Sequence, residues 1–295
     1  MAKKVSPIMA DLLLLFTALI WGSTFIIVKK SIESIPPVAF NTIRFMIASL
    51  LLMIIFLYRP KKLDKQVLMD GSVLGLVLFM TFTCQTIGLK FVTASETGFI
   101  TGLYLIFVPI ISVVFLGKKI DVNTIIAVMI SFIGLSLISF TGKVNVGFGE
   151  FLVLLNALFV AFHILLVDYY GRRDDVFALT SIQIFVLTIL SFIYTTIFEG
   201  WSFKIVINVD IVVAFLITGV FATVVAFMIQ TYAQKYTTPT KAAVIFTFEP
   251  LSSAVFGYLL GGELLKLSQY FGAFLIFISM LIIELKGKER IDKDA

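Results

Sequence analysis

Ten runs of apolar residues divide the chain, at about 9–28, 38–57, 68–89, 97–116, 122–140, 149–168, 177–197, 210–232, 242–260 and 268–284. The breaks between them are short and hold turn and charge chemistry, as in Lys29 to Pro37, Gly117 to Asp121 and Gly171 to Asp175. A helix of about 20 residues crosses a hydrocarbon core of about 30 Å, which is the length of these runs. They are continuously apolar, whereas the strands of a membrane barrel alternate apolar and polar residues, so the pattern predicts helices. The expectation is an all-α membrane protein of ten transmembrane helices.

Composition points the same way. Apolar residues make up 60% of the 295 positions and charged residues 14%, against about 25% charged in a soluble protein. A mean hydropathy of +1.08 excludes disorder, which needs low hydrophobicity and high charge. The first run is too long for a signal-peptide core and lacks a small-residue cleavage pattern, so it reads as a retained span. One cysteine, Cys84, excludes an intrachain disulfide and Cys-based metal sites.

The net charge of +5 does not indicate nucleic acid, because the basic residues lie in short loops between apolar runs. With the N-terminus in the cytoplasm, sixteen of the 23 Lys and Arg residues fall on the cytoplasmic side, including the Arg59 to Lys65 cluster, Lys118, Lys119, Arg172 and Arg173. The other side receives Lys29, Lys30, Lys90, Lys143, Lys204 and Lys266, and Arg44 stays inside a span. The positive-inside rule then predicts a multi-pass protein of the cell membrane with both termini cytoplasmic.

The second half repeats the first. At an offset of 145, Phe82 aligns with Phe227, Gln85 with Gln230, Thr86 with Thr231, Lys90 with Lys235 and Gly117 with Gly262. At an offset of 139, Ala18 aligns with Ala157, Val28 with Val167, and Arg44 with Gln183. Apolar helices resemble one another by composition alone, but the polar Gln-Thr coincidence is harder to dismiss. Five spans per copy is an odd number, so the second copy enters the membrane from the opposite face, as in secondary transporters with inverted repeats. The expected units are 1–142 and 143–295.

The stretches Ala-Leu-Ile-Trp-Gly at 18–22, Asn-Thr-Ile-Arg-Phe at 41–45, Thr93-Ala94-Ser95, Phe248-Glu249-Pro250 and Gly261-Gly262-Glu263 carry a resemblance over nearly the whole chain to the EamA-type branch of the drug/metabolite transporter superfamily. That resemblance implies a substrate cavity between two halves and export or exchange of small metabolites. Two departures stand out: Lys118-Lys119 lies where the second copy has Glu263-Leu264, and Pro109 is four residues out of register with Pro250.

Polar residues inside apolar runs are the candidate site. Arg44 lies about 9 Å inside the second span, where a charge must pair or face water; it either binds an anionic group or fixes the helix against backbone carbonyls. Glu249 precedes Pro250, whose missing N–H frees a carbonyl one turn earlier, and is a candidate proton or cation site. The one histidine, His163, falls at nearly the same depth and is a candidate relay partner for Glu249, or a hydrogen-bonded packing residue. Gln85 and Gln230 occupy mirrored depths and suit either a polar solute or a bond between helices. Trp21 lies near the midplane, away from the interfacial belt, as a cavity wall or a lipid-facing group. Tyr104, opposite Glu249 in the repeat, and Asn41, one turn from Arg44, join the lining. The many Phe residues read as bulk, while Gly71 with Gly75 and Gly98 with Gly102 allow close helix approach.

The function expected is secondary transport of a small polar or amphipathic, amino-acid-like metabolite by alternating access. The lipid bilayer is its surroundings, protons are a candidate coupling ion, and no cofactor is involved. A membrane enzyme acting on a lipid-linked substrate would need clustered acids, bases or metal ligands, and the sequence has no HExxH, GxSxG or phosphate-binding glycine loop. A channel would display charged rings or filter loops.

Overall fold

The computed structural model describes residues 6–58, 63–117, 120–139, 147–203, 208–261 and 266–293. The basic residues at 3, 4, 59, 61, 62, 118, 119, 143 and 204 and the Gly262-Glu263 pair lie outside the described residues. All elements among the described residues are helical: α1 (Pro7–Ser31), α2 (Pro37–Tyr58), α3 (Lys65–Gly88), α4 (Ala94–Thr101), α5 (Tyr104–Leu116), α6 (Val122–Ser139), α7 (Phe148–Gly171), α8 (Val176–Tyr194), α9 (Val209–Phe215), α10 (Ala226–Ala233), α11 (Pro239–Phe246), α12 (Phe248–Gly261) and α13 (Leu267–Lys293). A wider π-wound stretch, Leu216–Val225, joins α9 to α10, and another, Thr195–Glu199, extends α8.

Short polar residues set where the apolar runs start to coil. Asp64, Asp175 and Asn208 each accept a hydrogen bond from the backbone N–H three residues on, at 2.8, 3.0 and 2.9 Å, satisfying a donor that the helix itself leaves open. Ser6 and Thr238 do the same ahead of Pro7 and Pro239, where proline loses no helical bond. The start of α2 is capped from a distance: the Glu199 carboxylate accepts from Val38 N at 3.0 Å and Ala39 N at 2.7 Å, a negative charge at the positive end of the helix.

Seven helical stretches are long and apolar enough to cross a membrane, and Val122–Leu137 and Leu267–Ile282 are shorter apolar helices. The chain is therefore a multi-pass helical membrane protein. Large apolar side chains such as Leu57, Phe115, Val114 and Tyr270 cover its outside, the surface that faces lipid.

Two runs that the apolar pattern presents as single helices are each broken. The run at 242–260 stops at Thr247 because Pro250 has no N–H for the Phe246 carbonyl. There the chain tightens, with Thr247 N and Oγ1 both donating to Val244 O, at 3.1 and 2.6 Å. In the run at 97–116, Leu103 N bonds Ile100 O and Leu105 N bonds Gly102 O, both at 3.1 Å, the three-residue spacing of a tightened turn.

The long helices pack through small residues. A Cβ added at Gly71 would come 2.6 Å from Ile182 of α8, and one at Gly75 2.7 Å from Gln183 O, so this glycine pair does bring α3 and α8 together. Gly102 abuts Leu135 of α6, whereas Gly98 has ordinary clearance from Pro250. Gly134 of α6 lies against Gly272 O of α13, and the Ser131 and Ser279 hydroxyls bond across the same contact. Gly22 holds α1 against α12, where a Cβ would come 2.4 Å from Glu249 O.

Candidate functional site

A cavity lies where α1, α2, α3, α7 and α10 meet the two helix breaks. Seven residues singled out by polarity and depth line it: Trp21, Arg44, Gln85, Tyr104, His163, Gln230 and Glu249. The breaks explain why two of them point inward. Tyr104 is the first residue of α5 and Glu249 the second of α12, so both project from a restarted helix beside the gap. The volume open to water inside is about 70 Å³, room for a few waters.

The Arg44 guanidinium lies 4.6 Å from the ring centroids of both Phe45 and Phe82. These cation–π contacts position it without neutralising it. Its Nε is buried with no hydrogen-bond partner, and the residue is 3% exposed. Glu249 is 8% exposed, and its carboxylate faces the cavity with no ion pair among the described residues. Tyr104 Oη and Gln230 Oε1 are likewise buried without partners. Such orphans cost about 1–3 kcal/mol each, and here they share one cavity.

His163 Nε2 pairs with Gln183 Oε1 at 3.0 Å, and its ring meets Phe227 edge-on at 5.7 Å. It does not hydrogen-bond Glu249, although both face the same space. Trp21 donates from Nε1 to Ala222 O at 2.9 Å and is flanked by Phe227 and Phe246, each at 5.3 Å. Asn41 stands behind the wall: its amide donates to Phe82 O at 3.2 Å and Thr86 Oγ1 at 2.9 Å, which pins α2 to α3.

Several lining residues carry no signal in the sequence beyond being part of an apolar run. Phe82, Phe227 and Phe246 are cavity walls, so these three are more than bulk. Thr81 and Thr101 also face the cavity. Asn156, fully buried in α7, links the Thr101 hydroxyl to the Thr81 backbone, accepting from Thr101 Oγ1 at 2.8 Å and donating to Thr81 O at 3.1 Å.

Two clamps hold the chain at opposite ends of α3. At its C-terminal end Lys29 Nζ donates to Leu89 O at 2.5 Å and Val92 O at 2.9 Å, carbonyls of the turn that follows the helix. At its N-terminal end Arg173 pairs with Asp70. Arg172, held by Asp168 at 2.7 Å, donates to Lys235 O at 3.1 Å and Thr237 O at 2.7 Å. In this turn, burial together with the neighbouring Asp70 pushes the Asp174 carboxyl up to about 6, and the hydrogen bond to Asp70 raises the Arg173 guanidinium further.

A helical membrane bundle with a largely apolar cavity between broken helices, into which a few polar side chains project, fits a solute carrier. The comparisons agree. The model of the EamA-like transporter family matches residues 8–140 and again 147–285, and the chain belongs to that family, within the drug/metabolite transporter superfamily. An uncharacterized transporter of Archaeoglobus fulgidus is 38% identical over 97% of this chain and 89% of its own length. The uncharacterized transporter YoaV of Bacillus subtilis is 25% identical over 88% and 90%. A solved crystal structure covers 95% of this chain and 98% of its own at a TM-score of 0.78 and 16% identity, which shows a shared fold.

Proposed function

We propose that this chain is a secondary active transporter that binds a small polar or amphipathic, amino-acid-like solute in the cavity between Arg44 and Glu249. It exposes the solute alternately to each side of the cytoplasmic membrane, in the direction of export or exchange. The reading includes ten crossings in two inverted five-span repeats, 1–142 and 143–295, with both termini cytoplasmic. Trp21, Asn41, Arg44, Gln85, Tyr104 and Gln230 form or support the binding site, and Glu249 with His163 carries the coupling proton or cation.

One observation carries this reading: the cavity is lined in matched pairs. Trp21 and Val160, Thr24 and His163, and Phe25 and Ile164 are 139 residues apart, and both members of each pair face the cavity. Phe82 and Phe227, Gln85 and Gln230, Thr101 and Phe246, and Tyr104 and Glu249 are 145 apart and do the same. A cavity built from equivalent positions of two copies sits on the relation between them, which is where carriers of this construction bind solute.

Further support comes from the helices. The ten-crossing reading counts the seven long stretches and the two shorter apolar helices together with the broken pair α11–α12 as one crossing each. The helix contacts also come in exchanged pairs: α3 packs on α7 as α1 packs on α10, α1 on α12 as α5 on α7, and α3 on α8 as α2 on the π-wound stretch. The two breaks lie 145 residues apart, at Gly102 and Thr247. A clamp at each end of α3 suits a bundle that opens one side at a time.

Counterflow in proteoliposomes tests the proposal: preloading with the unlabelled solute is expected to drive saturable, transient accumulation of the labelled one. Flux that does not saturate and shows no counterflow overturns it. For coupling, Glu249→Gln is expected to abolish the pH dependence of transport; an unchanged rate and pH profile contradicts that role.

A further inference from the structure

The breaks at Gly102 and Thr247 are held in different ways. Beside the first stands Asn156 of α7, whose amide is fully buried. It accepts from Thr101 Oγ1 at 2.8 Å and donates to Thr81 O of α3 at 3.1 Å. Both bonds lie out of water, where breaking one leaves a donor or an acceptor unsatisfied. One residue on, α6 closes over the break, since a Cβ at Gly102 would come 2.6 Å from Leu135 Cδ2. The end of α4 is therefore fixed to α7 and α6, and through Asn156 to α3.

The second copy lacks this arrangement. At an offset of 145, Thr101 and Thr81 correspond to Phe246 and Ala226, and at 139 Asn156 corresponds to Thr17. Neither Phe246 nor Ala226 has a side chain that forms hydrogen bonds, and Thr17 Oγ1 turns back onto Leu13 O of its own helix at 3.1 Å. Thr247 Oγ1 also stays within its own turn, on Val244 O. Beyond the turn, α12 is anchored to α1 by the close packing at Gly22 and by Ser252 Oγ on Leu19 O. On the near side, the far end of α11 meets α1 through the ion pair of Lys241 with Asp11 at 2.7 Å, which water can replace when it parts. The facing of the two broken helices is loose, because a Cβ at Gly98 would have ordinary clearance of 3.9 Å from Pro250.

We infer that the two breaks play unequal parts in transport: Asn156 is a positioning residue that fixes the first and keeps Tyr104 turned to the cavity, while the turn at Thr247 is a hinge on which α11 swings. Bending the first break gives up both Asn156 bonds in a dry interior; bending the second gives up only bonds of its own turn. The inference rests on the cavity being the transport site and names which of the two breaks moves.

Hydrogen exchange of the purified full chain in nanodiscs tests this without a variant. Amides at 247–249 are expected to exchange about tenfold faster than those at 102–105. Equal protection, or faster exchange at 102–105, overturns the inference. Asn156→Leu, which removes both bonds at similar side-chain volume, is expected to raise exchange at 102–105 by about tenfold and to leave 247–249 within about two-fold.

The positioning role is read with single cysteines in a Cys84→Ser background, Tyr104→Cys at the first break and Gln230→Cys on the wall from the other half, each labelled with a maleimide. Asn156→Leu and Thr101→Val are each expected to slow labelling at 104 by about three-fold or more and to leave 230 within about two-fold. Thr101→Ser keeps the hydroxyl and is expected to preserve the rate at 104. An equal fall at both cysteines, no fall at 104, or a Thr101→Ser variant as slow as Thr101→Val overturns the role. If a variant does not fold, the exchange comparison in the unmutated chain decides alone.

Neither readout needs a solute, so counterflow keeps the two readings apart. Counterflow with equal exchange at the two breaks would overturn this inference and leave the transporter standing. Unequal exchange without counterflow would overturn the transporter and with it the hinge.

Discussion

Tyr104 and Glu249 occupy the same station in two broken helices: each restarts a helix one or two residues after the break, and each projects a polar group into one cavity. The Tyr104 hydroxyl has no partner there. A buried hydroxyl left unpaired costs the fold about 1–3 kcal/mol, so Tyr104→Phe is expected to raise the unfolding temperature of the ligand-free protein. The same change is expected to weaken solute binding by several-fold. A lower unfolding temperature would show that Tyr104 serves the fold instead.

Close approach of α1 and α12 makes Gly22 a second sensitive point. A Cβ there would lie 2.4 Å from Glu249 O and 2.5 Å from Ser252 Cβ, and Ser252 Oγ already bonds Leu19 O at 2.9 Å. Overpacking of this kind costs about 1–3 kcal/mol or more. Gly22→Val is expected to lower the unfolding temperature in detergent and to displace Glu249, with loss of transport. Wild-type stability and transport in that variant would contradict the packing.

The apolar runs and the polar positions within them were legible in the sequence because hydrophobicity and helix length are local properties. Pro250 marked a freed carbonyl near 246 in the sequence but not that the helix restarts at Phe248, and the break at 102–103 was not legible, since only the backbone bonds distinguish its tightened turn from a continuous helix. Phe82, Phe227 and Phe246 were hidden by the uniform Phe content, which gives no face to any one ring. Pairing of His163 with Gln183 depends on the rotation of α7 against α8, and so does the placement of Asn41 behind the wall depend on that of α2 against α3; neither rotation is encoded in a run that is apolar on all sides.

The clamps lead to a prediction about local opening. Lys29→Met removes the donor to Leu89 O and Val92 O, and Arg172→Met removes the donor to Lys235 O and Thr237 O. Hydrogen exchange is expected to rise around 88–97 in the first variant and around 233–242 in the second, each leaving the other region unchanged. Equal increases at both places in either variant would show that the clamps do not act separately.

Asp174 gives a pH dependence with a defined sign. Its carboxyl is held at about 6 by burial and by Asp70, from an ordinary value of 3.8, so the folded state binds its proton more tightly than the unfolded chain. This group's contribution to stability is therefore full below about pH 3.8 and is lost as pH rises through 6. Arg173 beside it and the Lys235 ammonium on its own carbonyl do not cancel the effect. Asp174→Asn is expected to raise the unfolding temperature at pH 8, with the gain shrinking between pH 6 and 4. A gain that grows on acidification would reverse the assignment.

Access to the cavity from each side of the bilayer is the most direct probe of the mechanism. With Cys84 replaced by serine and Gln85, on the cavity wall, replaced by cysteine, a membrane-impermeant maleimide is applied to right-side-out and to inside-out vesicles. The new cysteine is expected to react from both sides, with solute slowing both reactions. Labelling from one side only, or labelling from both that solute leaves untouched, would contradict alternating access.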